Sequence, residues 1–281
     1  MRIVTDSTVD LPQELLDKYK IKIVPLKIQL GSETFVDHYG IKPVEYYRRL
    51  RASEFFPTTT QPSPQDFIDA YKEAASDDDF VLSVHISSKL SGTYQSARLA
   101  RQSFCDKKIF IIDSGQASVG LGMMVLGLAK AAAEGVSESA AQNMASRLIA
   151  ETKTFFSIDS LEYLKRGGRI GAAQVFLGDI LKVKPLLSVK DGTIQPLEKL
   201  RGRKNVVQRL SQIVSDAAAR KGRLKIGLIY ADNEDYLSML KDELVKINNI
   251  EIEFVSRIGA VIASHAGPDA IGVSFYPADL S

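Results

Sequence analysis

The sequence predicts an α/β protein of two domains, with an N-terminal α/β/α parallel sheet and a C-terminal α+β part whose sheet is mixed or antiparallel. Three observations carry this. Up to about residue 152, short apolar runs alternate with helix-period segments, the pattern of parallel strands joined by crossover helices. Beyond residue 153, six strand candidates follow one another with fewer helices between them. One pair of these is joined by Asp191-Gly192, the strongest short hairpin signal.

The elements follow in order. Ile3 to Thr5 reads as a strand and Pro12 to Lys20 as a helix with proline near its start. Ile23 to Leu30 and Thr34 to Val36, separated by Gly31-Ser32, read as a hairpin. Pro43 to Arg51 is a helix. Ser63 to Ala75 is another, with Ser63 as N-cap and Pro64 at the first position. Phe80 to Val84 and Ile109 to Ile112 are apolar strands, and two helices follow at about 117–134 and 137–152, divided by Gly135 and the cap Ser137. The later strand candidates are 155–158, 185–189, 193–197, 224–230, 251–255 and 270–276.

With 281 residues, the chain has room for two medium-sized domains, and the change of pattern sets them at 1–152 and 153–281. Hydrophobic residues make up 45% and charged residues 25%, a globular composition that argues against disorder. The formal charge of +2 is too small for the footprint of a nucleic-acid-binding protein. It is unevenly spread, because ten basic and three acidic residues lie between Lys165 and Lys204. That window suits a negatively charged partner, an anionic membrane surface or plain solvent. A single cysteine, Cys105, rules out an internal disulfide and Cys-rich metal sites. The N-terminus lacks the apolar region of a signal peptide, so the cytoplasm is the expected location. The uncharged stretch Ser114 to Ala129 is too short and glycine-rich for a membrane span and reads as a buried helix.

Three hydroxyl-rich loops are the candidate chemistry: Thr5-Asp6-Ser7-Thr8, Thr58 to Ser63, and Ser87-Ser88-Lys89-Leu90-Ser91-Gly92-Thr93. Carboxyl ends of parallel strands and helix N-termini are where anions bind, although caps and local turns use the same residues. No Walker or dinucleotide glycine pattern accompanies them, so a carboxylate suits these neutral donors better than a nucleotide. The histidines His38, His85 and His265 are too scattered for a metal site. Ser91 with His265 is conceivable as a nucleophile and base, but no nucleophile elbow surrounds Ser91.

In order and spacing, Val4 to Thr8, Thr59-Thr60-Gln61-Pro62-Ser63, Ile86 to Thr93, Ile112-Asp113-Ser114, Leu164 to Ile170 and Ser264-His265-Ala266-Gly267 resemble the DegV family along the whole chain. The resemblance implies a non-catalytic carrier that binds a long-chain fatty acid such as palmitate between its domains, with no cofactor or metal. It also implies roles in lipid transport or fatty acid metabolism, and for some members a fatty-acid kinase partner to which the carboxylate is presented. By matching motifs, Thr59 and Ser91 would bind the carboxylate, with Thr60, Gly92, Thr93, Arg201 and His265 as further head-group contacts. The family often has Thr-Ser-Gln-Pro where this chain has Thr59-Thr60-Gln61-Pro62, which keeps the hydroxyl and adds a methyl. The alternative reading is an enzyme acting on a small carboxylate or phosphorylated substrate through Ser91 and His265.

Overall fold

The computed structural model describes residues 1–75, 80–177 and 183–280. It is an α/β fold with three sheets. Strands β1 (Arg2–Asp6), β2 (Lys22–Val24), β6 (Val81–His85) and β7 (Ile109–Asp113) form a parallel sheet in the order β2-β1-β6-β7. All five residues of β6 are buried, as expected of a central strand covered on both faces. The helices α1 (Gln13–Lys18), α3 (Pro64–Ala74) and α4 (Thr93–Arg101) alternate with these strands. Ser63 caps α3 through a reciprocal capping box with Asp66, the arrangement its sequence predicts.

The expected strand over 23–30 is two strands. Pro25 lacks a backbone N–H and cannot continue the ladder. Residues before it run parallel to β1, with Val4 opposite Lys22. Residues after it, β3 (Lys27–Leu30), enter a small antiparallel sheet with β4 (Glu33–Val36) and β5 (Thr58–Thr60). The threonine run expected as a loop is therefore an edge strand, with Thr59 opposite Ile28. Helix α2 (Pro43–Ala52) links β4 to β5.

The six-stranded sheet has the order β10-β9-β8-β13-β11-β12. Its strands are β8 (Lys153–Ser157), β9 (Val183–Lys190), β10 (Thr193–Arg201), β11 (Leu224–Tyr230), β12 (Ile250–Arg257) and β13 (Ile271–Pro277). Only β11 and β12 are parallel, so the sheet is mixed. Asp191 and Gly192 close the β9–β10 hairpin with φ of 51° and 77°, the left-handed pair a tight hairpin turn needs. Charge-rich sequence conceals α8 (Gly202–Lys221), and α9 (Glu234–Leu244) and the short α10 (Ala260–Ala266) complete this half beside α7 (Glu162–Arg166).

Helix α5 (Val119–Ala133) is buried along most of its length and joins the two large sheets, touching β1 and β6 on one side and β11 and β13 on the other. Helix α6 (Glu138–Glu151) packs beside it. One hydrophobic cluster accordingly runs from Ile3 and Leu82 through Leu121 and Met124 to Ile229 and Tyr276. No helix among the described residues is long and apolar enough to cross a membrane.

Candidate functional site

Between the parallel sheet and the mixed sheet lies an apolar cavity. It has about 830 Å³ of empty space, counting its mouth, but only about 100 Å³ of that admits the centre of a water molecule. A void with that ratio is narrow. Its wall is built of aliphatic side chains from both halves, such as Leu26, Ile86, Val189, Ile194, Ile229 and Ile262.

Three hydroxyl residues also line the wall, and each has turned its hydrogen away from the cavity. Thr8 donates to Asp6 Oδ1 (2.5 Å), Ser118 to Asp10 Oδ2 (2.5 Å) and Thr154 to Gln116 Oε1 (2.8 Å). With these donors committed, the wall offers methyl groups and oxygen lone pairs, which suits apolar contents. Ser118 holds this orientation from a strained backbone, with φ 53° and ψ −129°.

The remaining polar lining residues are Thr59, Ser91, Arg169 and His265. Thr59 Oγ1 lies 2.8 Å from His265 Nε2. Burial, aided by the charge of Arg169, pushes the His265 pKa down to about 4, so at neutral pH the ring is uncharged. If Nε2 carries the proton and donates it to Thr59 Oγ1, the Thr59 hydrogen is free to point at an acceptor in the cavity. The other ring nitrogen, Nδ1, is buried with no partner, facing Gly167, where a side chain would overlap it. Arg169 is fixed by donating from Nε to Leu90 O (3.0 Å) and from Nη1 to Gly167 O (2.6 Å). Its guanidinium places a positive charge at the same wall as Ser91, the residue after Leu90. The Ser91 hydroxyl pairs with Thr93 Oγ1 at 2.9 Å.

The cavity wall thus brings together Thr59, Ser91 and His265 of the sequence candidates. Thr60 and Gly92 flank lining residues without lining the cavity themselves, and Thr93 reaches it through Ser91. The amide of the exposed Gln61 side chain lies against Gly92. Arg201 is not a lining residue. It is exposed at the end of β10, where its carbonyl accepts from Asn205, and the cation in the wall is Arg169 instead. Arg169 was not among the sequence candidates, because Lys165-Arg166-Gly167-Gly168-Arg169 reads equally as a helix end with a glycine stop or as a loop at a site mouth. The hint available was its place beside the double glycine, which lets the chain turn back toward the cavity, with Gly168 at φ 70°.

The Ser91–His265 nucleophile arrangement is absent, because His265 pairs with Thr59 and Ser91 with Thr93. Among the described residues no acidic group orients the imidazole, since Nδ1 is unpartnered. No cluster able to hold a metal occurs among the described residues. Of the basic window, Arg166 stacks on Phe56 and pairs with Glu162, Lys184 pairs with Asp159, and Arg203 pairs with Asp269. Lys182 lies outside the described residues.

Residues 1–278 match the DegV family, a family described as uncharacterised. A DegV domain-containing protein of Caldanaerobacter subterraneus subsp. tengcongensis is 37% identical over 273 residues, 97% of each chain. A solved structure from Thermus thermophilus, described as fatty acid binding of a DegV family protein, is 40% identical and covers 99% of this chain and 100% of its own, with a TM-score of 0.90. A stearic-acid-binding protein from Eubacterium ventriosum is 27% identical, covers 99% of this chain and 98% of its own, and has a TM-score of 0.88.

Proposed function

Because the chain belongs to the DegV family, we propose that it binds one long-chain fatty acid in the narrow cavity between residues 1–152 and 153–281. The observation that carries this reading is a narrow apolar void whose polar lining gathers Thr59, Ser91 and His265, with Arg169 as the one cation among the described lining residues. An acyl chain leaving water gains about 0.8 kcal/mol per methylene, so a chain of roughly sixteen carbons, such as palmitate, gains on the order of 10 kcal/mol. The carboxylate must then be hydrogen-bonded once desolvated. Thr59 and Ser91 donate to it, His265 holds Thr59 in its donating orientation, and Arg169 balances the charge. Thr60, Gly92 and Thr93 shape the loops around that head group.

The chain carries no ATP motif, so chemistry on the carboxylate belongs to a separate kinase that approaches the head group. This makes the protein a carrier in lipid transport or fatty acid metabolism, without a cofactor of its own, that exchanges its ligand at an anionic membrane surface.

Mass spectrometry of the denatured protein is expected to release one fatty acid per chain. The double variant Thr59→Ala/Ser91→Ala is expected to lower occupancy about tenfold or more, since each lost charged-acceptor bond costs on the order of 1.5 kcal/mol or more. Absence of lipid, together with no uptake of added palmitate, rejects the reading.

A further inference from the structure

Helix α10 carries four lining residues, Val261, Ile262, His265 and Ala266, yet much of its seating comes from the other half of the chain. Tyr47 donates to Ile258 O (2.9 Å), and Tyr46 shares a hydrogen bond with Ser264 (2.6 Å). Asp10 Oδ1 accepts from Gly259 N (2.8 Å), while its Oδ2 takes the Ser118 hydrogen. The Val261 amide faces the carboxyl of Asp37, together with the Ser7 hydroxyl and the His38 amide.

These two carboxyls are 6% and 3% exposed, and among the described residues no salt bridge reaches either. They close on the same backbone, because a methyl added at Gly259 would lie 2.8 Å from Asp10 Oδ1 and 3.9 Å from Asp37 Oδ1. Asp37 Oδ2 has no hydrogen-bond partner at all. An ionised carboxylate with a bare, buried oxygen beside a second carboxylate is costly, and a proton on the pair relieves the cost.

We propose that Asp10 and Asp37 are positioning residues that seat the first turn of α10, and through it His265 and Ile262, in a buried pocket that holds a proton on the pair and loosens when that proton is lost. The seat itself is a property of the protein alone; its effect on ligand release rests on the fatty-acid reading.

The other ionisable groups around the pair are Asp6 at the end of β1, His38 before α2, Tyr46 and Tyr47 on α2, Asp232 after β11 and Arg257 at the end of β12. Ser118, the residue capping the N-terminus of α5, adds a hydroxyl. Burial raises the pKa of Asp10 to about 7 and that of Asp37 to about 6. Lifting α10 returns both to water and to the ordinary carboxylate range, so opening releases protons and is favoured as pH rises from about 4 to about 7. His265 acts with the opposite sign. Its pKa is depressed in the seated helix, so opening takes up a proton below about pH 6.5. The comparison of variants isolates the carboxyl contribution.

Hydrogen exchange of residues 258–267 in lipid-free protein, corrected for intrinsic chemistry, measures the opening between pH 5 and 8. Relative to wild type, Asp10→Asn and Asp37→Asn are each expected to flatten the pH dependence of the opening constant by up to about tenfold per pH unit between pH 5 and 6. Equal slopes in all three proteins overturn the proposal. Should Asp10→Asn fail to fold, Asp37→Asn alone decides. Release of radiolabelled palmitate is expected to speed up with the same pH dependence and the same response to Asp37→Asn. Release that ignores the opening overturns the link to the ligand. If the exchange result holds and no palmitate is retained, the seat stands and the fatty-acid reading falls.

Discussion

Gly167 and Gly168 are adjacent and do different work. Gly167 lies in ordinary helical backbone, with φ −71°, and is bare because His265 Nδ1 stands over it. Gly168 has φ 70° and open space where a side chain would begin, so its glycine serves conformation alone. Gly167→Ala is therefore expected to push the imidazole off Thr59 and weaken palmitate binding about tenfold, with little change in melting temperature. Gly168→Ala is expected to cost about 1 kcal/mol of stability and leave affinity unchanged. Calorimetric titration and thermal melting separate the two, and equal effects of both variants refute the distinction. At this scale the places of Thr59, Ser91 and His265 on the cavity wall were legible through the family motifs they resemble, since hydroxyl clusters and a lone histidine by themselves read equally well as caps, turns or a satisfied polar residue. Arg169 was not, since its value comes from carbonyls of Leu90 and Gly167 that no spacing rule brings to it.

The β9–β10 hairpin is the element that spans the two halves beside the cavity. It contributes Val189 and Ile194 to the wall, and its turn is held by Ser87, which donates to Gly192 O (2.7 Å), and by Lys89, which donates to Asp191 O (2.8 Å). Ser87 is buried and Lys89 exposed, so the serine bond should contribute the larger share, about 1 kcal/mol. Ser87→Ala is expected to speed exchange of bound palmitate several-fold while leaving the secondary structure intact. Unchanged exchange kinetics in stopped-flow displacement would show that the hairpin does not gate the cavity. The Asp-Gly turn was readable because left-handed backbone has a narrow residue preference. The division of residues 23–30 and the strand at Thr58–Thr60 were harder to read. Both are decided by pairing with distant partners, and only Pro25 left a local mark.

At the scale of the molecule, the last strand of the parallel sheet is β7 and the first of the mixed sheet is β8, but the core does not divide with the sheets. The apolar stretch read as a buried helix proved to be α5, and its two flanks belong to different sheets. Calorimetry is expected to give one unfolding transition, and a fragment ending at residue 152 is expected not to fold, because it bares the α5 face that β11 and β13 cover. Two resolved transitions would contradict this. The parallel and mixed character of the sheets was legible from strand spacing, whereas the sharing of α5 was not, since a helix that is apolar all round gives no clue to which neighbour takes which side.

The outward-turned hydrogens of Thr8, Ser118 and Thr154 have one more effect. Where these three residues line it, the wall presents no hydroxyl hydrogen that could fix the register of a hydrocarbon, so an acyl chain bound as proposed would slide and coil along that stretch with little penalty.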